Sequence, residues 1–363
     1  MSFRLSFKLS CPSAARRSAP RRASLWRAGV GAALLSLSAG FSVATAAPLD
    51  CPAAPLDTAP ALQIEPAAAA AASAAPDRGF LWRIRKDGRD AYLDGTLHVG
   101  QPDWRTPGPR VAQALAASDT LALELDPLDA DVLRRLERGV AARPERTLAP
   151  ALTQRIERLA RAECLPARAL SGLIPEIQIA ALMSLLARRE GLDSAYGIDM
   201  LLARWGHAEA KTVVSLETPE LQLRVMQNLP ASASAPVASR AELARRRAEL
   251  QRSVASTLDA IEAGRARVLL ARIAQVWSTG DLAGLLAYAD WCECMDTPAQ
   301  RAEMARTLDA RNPALADAIA ALHRRGQHVF AAVGSLHLIG PLGLPALLAQ
   351  RGFQVERLSA KAP

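Results

Sequence analysis

The chain is poor in several features that usually announce a function. Aromatic residues make up only 4% of its 363 residues, and it has five histidines and five cysteines. It contains neither Gly-x-x-x-x-Gly-Lys nor Gly-x-Gly-x-x-Gly, so the common phosphate- and dinucleotide-binding loops are excluded. It lacks a Gly-x-Ser-x-Gly elbow, the usual mark of a serine hydrolase. No apolar run reaches the ~20 residues of a spanning helix. Acidic residues are missing from 1–46, which hold seven Lys or Arg. Without that segment the net charge falls from +8 to +1. The basicity therefore belongs to the N-terminus, and no electrostatic case for nucleic acid remains.

Half of the chain is hydrophobic, mostly alanine and leucine, which favours a helix-rich fold with a sizeable core. The N-terminus reads as an export signal over 1–46. A basic stretch ends at Arg27, an apolar run follows from Ala28 to Val43, and Ala44-Thr45-Ala46 is an A-x-A cleavage site. Arg21-Arg22 keeps a twin-arginine route open beside the general secretory one. A periplasmic or secreted protein without a membrane span after cleavage is expected. Residues 47–78 are a linker rich in Ala and Pro.

Four cysteines follow the cleavage site: Cys51, Cys164, Cys292 and Cys294. They allow three pairings. Cys164 with Cys292 or Cys294 is expected, because one intervening residue makes a Cys292–Cys294 bond strained. A soft metal site at Cys292-Glu293-Cys294 is a weaker reading, since no second pair stands at finger spacing.

The folded domain is expected over 79–361. Phe80 to Ile84 and Ala91 to Gly95 read as a hairpin around Asp87-Gly88. Further strands are expected at Thr120–Asp126, Lys211–Glu217, His328–Val333 and Phe353–Leu358. Helical periodicity fills most of the remainder, with a loop at 231–239 and a solvated helix pair over 240–272. The pattern predicts an α/β or α+β domain. Its central mixed sheet joins N- and C-terminal strands around a large helical insertion.

One motif occurs twice. Tyr92-Leu93-Asp94-Gly95-Thr96-Leu97-His98 and Phe330-Ala331-Ala332-Val333-Gly334-Ser335-Leu336-His337 each run from a strand into Gly-(Thr/Ser)-Leu-His. Gly95 and Gly334 would permit a sharp turn, and the Thr96 or Ser335 hydroxyl would bond the turn backbone. Each imidazole would then project at the sheet edge, where α/β sheets place their sites. Imidazole is both a common metal ligand and a general base. Glu124 and Glu217, near the ends of their strands, are the best carboxylate companions, because a lone buried carboxylate is costly. The competing readings are a duplicated structural turn with packed imidazoles, surface or helix-capping glutamates, and a serine nucleophile at Ser335. His207, His323 and His328 lack the motif and are expected at the surface.

With Tyr196-Gly197-Ile198-Asp199, Val213-Val214-Ser215-Leu216-Glu217-Thr218, Arg311-Asn312-Pro313 and Arg351-Gly352-Phe353, these motifs make the chain resemble the TraB/GumN family over about residues 79–360. Animal relatives include the Tiki proteins, described as metal-dependent proteases with two Gly-x-x-His motifs and a glutamate. The resemblance implies a divalent metal ion and a catalytic and metal set of His98, His337 and Glu124. Glu217 is a further ligand candidate, and Gly95, Gly334, Ser335, Tyr196, Asp199 and Arg311 are supporting residues. The expected function is hydrolysis of a peptide or other small substrate. Metal-independent esterase-like hydrolysis and a non-enzymatic binding or regulatory role are the alternatives.

Overall fold

The computed structural model describes residue 51 and residues 61–64, 75–229 and 239–358. The expected signal peptide, most of the linker and nearly all of the 231–239 loop lie outside the described residues.

A hairpin opens the fold. Strands β1 (Phe80–Lys86) and β2 (Arg89–Thr96) pair antiparallel around Asp87 and Gly88, with φ of 50° and 72°. Two successive positive φ values are the backbone of a type I′ turn, which Asp-Gly adopts readily. The other strands are β3 (Thr120–Leu123), β4 (Thr212–Ser215), β5 (Val329–Gly334) and β6 (Gln354–Arg357). They complete a six-stranded mixed sheet in the order β4-β3-β5-β2-β1-β6. β4, β3, β5 and β2 run parallel, while β1 is antiparallel to both its neighbours. The expected α/β class and the union of N- and C-terminal strands are therefore observed.

Parallel neighbours require long crossovers, and helices supply them. Helices Ala130–Val140, Pro150–Ala162, Pro175–Ala187 and Ile198–Ala208 lie between β3 and β4. The chain between β4 and β5 includes the long Arg240–Glu262 and Arg265–Ser278 helices and ends in Asn312–Arg324. The core forms where apolar strand residues meet apolar helix stripes: Phe80, Ile84, Leu93, Leu121, Leu123 and Phe330 are fully buried. Gly206 lets the Ile198–Ala208 helix approach closely, since a Cβ there would lie 2.8 Å from Leu121 Cδ2.

Three expectations are corrected. The disulfides are Cys51–Cys164 and Cys292–Cys294. Glu293 takes φ of 52°, which folds the chain back and brings the Cys292 and Cys294 Cα atoms to 5.0 Å, within bonding range. His323 is buried rather than exposed. It extends the inward stripe Leu315, Ile319, Leu322, and its ring meets the edge of Phe353 at 5.0 Å. β3 ends at Leu123 rather than Asp126. Beyond it, the Asp126 amide turns to the Ser215 hydroxyl and the Asp126 carboxylate accepts from the Leu128 amide.

Candidate active site at the parallel strand ends

β2 and β5 are parallel neighbours, with Thr96 opposite Gly334. The two motif turns therefore leave the same sheet edge side by side. Ser335 ties them together: its buried hydroxyl donates to the Thr96 carbonyl at 2.9 Å. The glycines serve space rather than a left-handed turn, since neither has positive φ. A Cβ on Gly95 would lie 2.7 Å from Leu338 Cδ1 and 2.9 Å from Ser335 Oγ. On Gly334 it would lie 3.3 Å from Glu124 Oε1. The Gly95 carbonyl accepts from the buried Trp277 indole at 2.7 Å.

Glu124 and Glu217 follow β3 and β4 and are joined through their backbones, the Glu217 amide donating to the Glu124 carbonyl at 3.0 Å. The Glu124 side chain reaches across to β5, where Oε1 accepts the Gly334 amide at 2.7 Å. Arg311 bridges the two carboxylates. Its Nη2 donates to Glu124 Oε2 at 2.5 Å and its Nε to Glu217 Oε1 at 2.9 Å. Gln222 Nε2 donates to Glu124 Oε2 at 3.1 Å and to Glu217 Oε2 at 3.0 Å. Burial disfavours charge on Glu124. His337, Arg311 and the Gly334 amide outweigh it and hold the carboxyl well below its ordinary range. Glu217 as placed is a partner of Arg311 and Gln222, with both oxygens engaged.

The two histidines are each gripped through Nδ1. His337 is buried, and its Nδ1 bonds Asn312 Oδ1 at 2.5 Å while its Nε2 faces Glu124 Oε1 at 3.8 Å. Burial lowers its pKa against the pull of Glu124, which favours the neutral ring. His98 is half exposed, and its Nδ1 meets Asp199 Oδ1 at 3.2 Å. Burial opposes charge on Asp199, but His98 overrides this and keeps the carboxyl ionised below its usual range. An ionised carboxylate only accepts, so Nδ1 is the protonated nitrogen and the lone pair of neutral His98 sits on Nε2. The Ile198 amide donates to the Leu97 carbonyl at 2.8 Å, which docks this helix start on the first motif. A Gly197 Cβ would meet the His98 carbonyl at 2.6 Å. Tyr196 contributes backbone, its carbonyl lying 2.2 Å from where a Gly100 Cβ would stand.

The matched family model is the TraB/PrgY/gumN family, aligned with residues 80–357. The chain belongs to this family. No curated protein and no solved structure matches it. The match covers every residue of the strand-end cluster, from His98 to His337.

The implied divalent ion can be tested against this donor set. Histidine ligands characteristically donate their other ring nitrogen to an oxygen, as both imidazoles do here. Two ligands of a tetrahedral ion with bonds of ~2.1 Å stand roughly 3.4 Å apart, close to the His337–Glu124 spacing. The donor types of His98, His337 and Glu124 suit a divalent ion, while both Glu124 oxygens also accept hydrogen bonds, from the Gly334 amide, Arg311 and Gln222. Among the described residues, no three His, Cys, Asp or Glu side chains are gathered tightly enough as placed to hold one.

Sequence reasoning overlooked Asn312, Gln222 and Trp277. Asn312 had a signal, its place beside Arg311 in a family motif. Gln222 and Trp277 had none, because their roles depend on helices returning to the sheet edge.

Proposed function

We propose that this TraB/PrgY/gumN-family protein is an exported, metal-dependent hydrolase acting on peptide-like substrates. The observation that carries the reading is the pair of Nδ1 contacts made by His98 and His337 on two motif turns that leave the same sheet edge, with His337 Nε2 3.8 Å from Glu124 Oε1. His98, His337 and Glu124 would hold the ion. Bound there, a divalent ion supplies Lewis acidity and lowers the pKa of water. The chain's own residues organise the site. Arg311 and the Gly334 amide keep Glu124 ionised, Asp199 and Asn312 aim the rings, and the Ser335–Thr96 bond keeps the two turns together. Export is supported by the N-terminal sequence pattern and by two disulfides, which persist in oxidising compartments. Among the described residues no helix is long and apolar enough to cross a membrane.

The test is calorimetric titration of the purified protein with Zn2+ or Co2+. Affinity should fall at least tenfold in both His98→Ala and His337→Ala. Unchanged affinity in both would sink the reading. A second reading, metal-free hydrolysis by the His337–Glu124 pair, is favoured by Arg311, whose buried charge already bridges the two carboxylates. Peptidase or esterase activity that survives exhaustive chelation would decide for it.

A further inference from the structure

Asn312 is 1% exposed and begins the Asn312–Arg324 helix. An amide can be turned either way, but here the two ends are fixed by their partners. Nδ2 donates to the Leu342 carbonyl at 2.8 Å, and a carbonyl can only accept. Oδ1 must therefore face His337, and an amide oxygen can only accept from Nδ1–H. The neutral ring is left with its lone pair on Nε2, toward Glu124. Without that constraint the proton distributes over both nitrogens.

The geometry points to Asn312 as a positioning residue that locks His337 in the Nδ1–H tautomer and so turns its Nε2 lone pair toward Glu124. The lock closes a circuit within the second motif. The chain leaves His337, turns at Gly340 (φ 78°), and presents the Leu342 carbonyl that orients Asn312. Asn312 then orients the histidine from which the circuit began. The helix it starts is a firm base, because Leu315, Ala316 and Ile319 are fully buried. The value of the lock for metal binding rests on the proposed function; the tautomer itself does not.

The experiment is long-range 1H–15N NMR of the histidine rings in the full metal-free protein, with His337 assigned by its loss in His337→Gln. Wild type should show His337 protonated at Nδ1 and bare at Nε2. Asn312→Ala should give a mixed or reversed pattern, whereas Asn312→Asp, which keeps an acceptor on Nδ1, should keep that nitrogen protonated. Co2+ affinity should fall ~10–100-fold in Asn312→Ala and recover in Asn312→Asp. A wild-type ring protonated at Nε2 overturns the proposal by itself, even if the alanine variant does not fold. An unchanged ring pattern in folded Asn312→Ala overturns it as well. A locked tautomer in a protein that binds no Co2+ would remove the metal reading and leave the lock standing.

Discussion

His98 and His337 occupy equivalent places in two copies of one motif, yet their surroundings differ. His337 is buried and held by a neutral amide, whereas His98 is half exposed and held by a carboxylate. Each orienting group comes from a helix start, Asp199 from Ile198–Ala208 and Asn312 from Asn312–Arg324. The motif fixes where each imidazole leaves the sheet. The helix that docks on the turn fixes its exposure and its partner. A repeated sequence thus yields a repeated position with two different environments.

The sharpest way to break the comparison is to remove the charge supporting the second copy. Arg311 is largely buried between Glu124 and Glu217. Arg311→Met leaves the buried Glu217 and the part-buried Glu124 without their cation, and breaking a buried pair costs about 3–5 kcal/mol. His98→Ala, in the exposed copy, should cost less than ~1 kcal/mol, as truncations near solvent do. Urea melts of both variants check the ratio. Equal losses would show that the two copies are supported alike.

The next difference lies one residue before each glycine. The first copy carries Asp94, where the second carries Val333. Asp94 is buried and its Oδ1 has no partner. Burial raises its pKa to about 8, only partly offset by the Gly95 amide. In the window from ~4 to ~8 the folded protein holds a proton that the unfolded chain, with an ordinary aspartate near 3.9, releases. This contribution to stability is full below ~4 and falls as pH rises toward 8, by up to ~1.4 kcal/mol per unit. Asp94→Val, which copies the second motif, should flatten that slope and raise the melting temperature at pH 8. A slope that persists in the variant would remove Asp94 as its source.

Much of this architecture was legible in the sequence because local rules agree with the fold. Asp87-Gly88 specified its hairpin, and the duplicated strand-Gly-x-x-His segments became parallel neighbours. Glu124 was legible as a carboxylate that needs a partner. What it partners was not, since Arg311 lies 187 residues further on and reaches it only through tertiary packing. The Cys292–Cys294 bond escaped for a backbone reason: the average geometry of one intervening residue disfavours it, and Glu293 departs from that average. His323 was recoverable from its helical stripe, but motif membership outweighed periodicity in reading it.

The two glycines give the finest test, because they share a role but differ in clearance. A Cβ on Gly95 would press on Leu338 Cδ1 at 2.7 Å and Ser335 Oγ at 2.9 Å, in a buried layer. On Gly334 the nearest atom, Glu124 Oε1, is 3.3 Å away, so a shift of a few tenths of an ångström suffices. Gly95→Ala should therefore cost ~1–3 kcal/mol through overpacking, and Gly334→Ala less. The Gly334 change should act instead on Glu124, whose Oε1 accepts the Gly334 amide, and weaken Co2+ binding more than folding. Chemical melts paired with Co2+ titrations separate the two effects. If Gly334→Ala lost more stability than Gly95→Ala, close packing would not be what the glycines supply. The loss would then lie in the Gly334–Glu124 contact, since neither glycine has the positive φ that alanine resists.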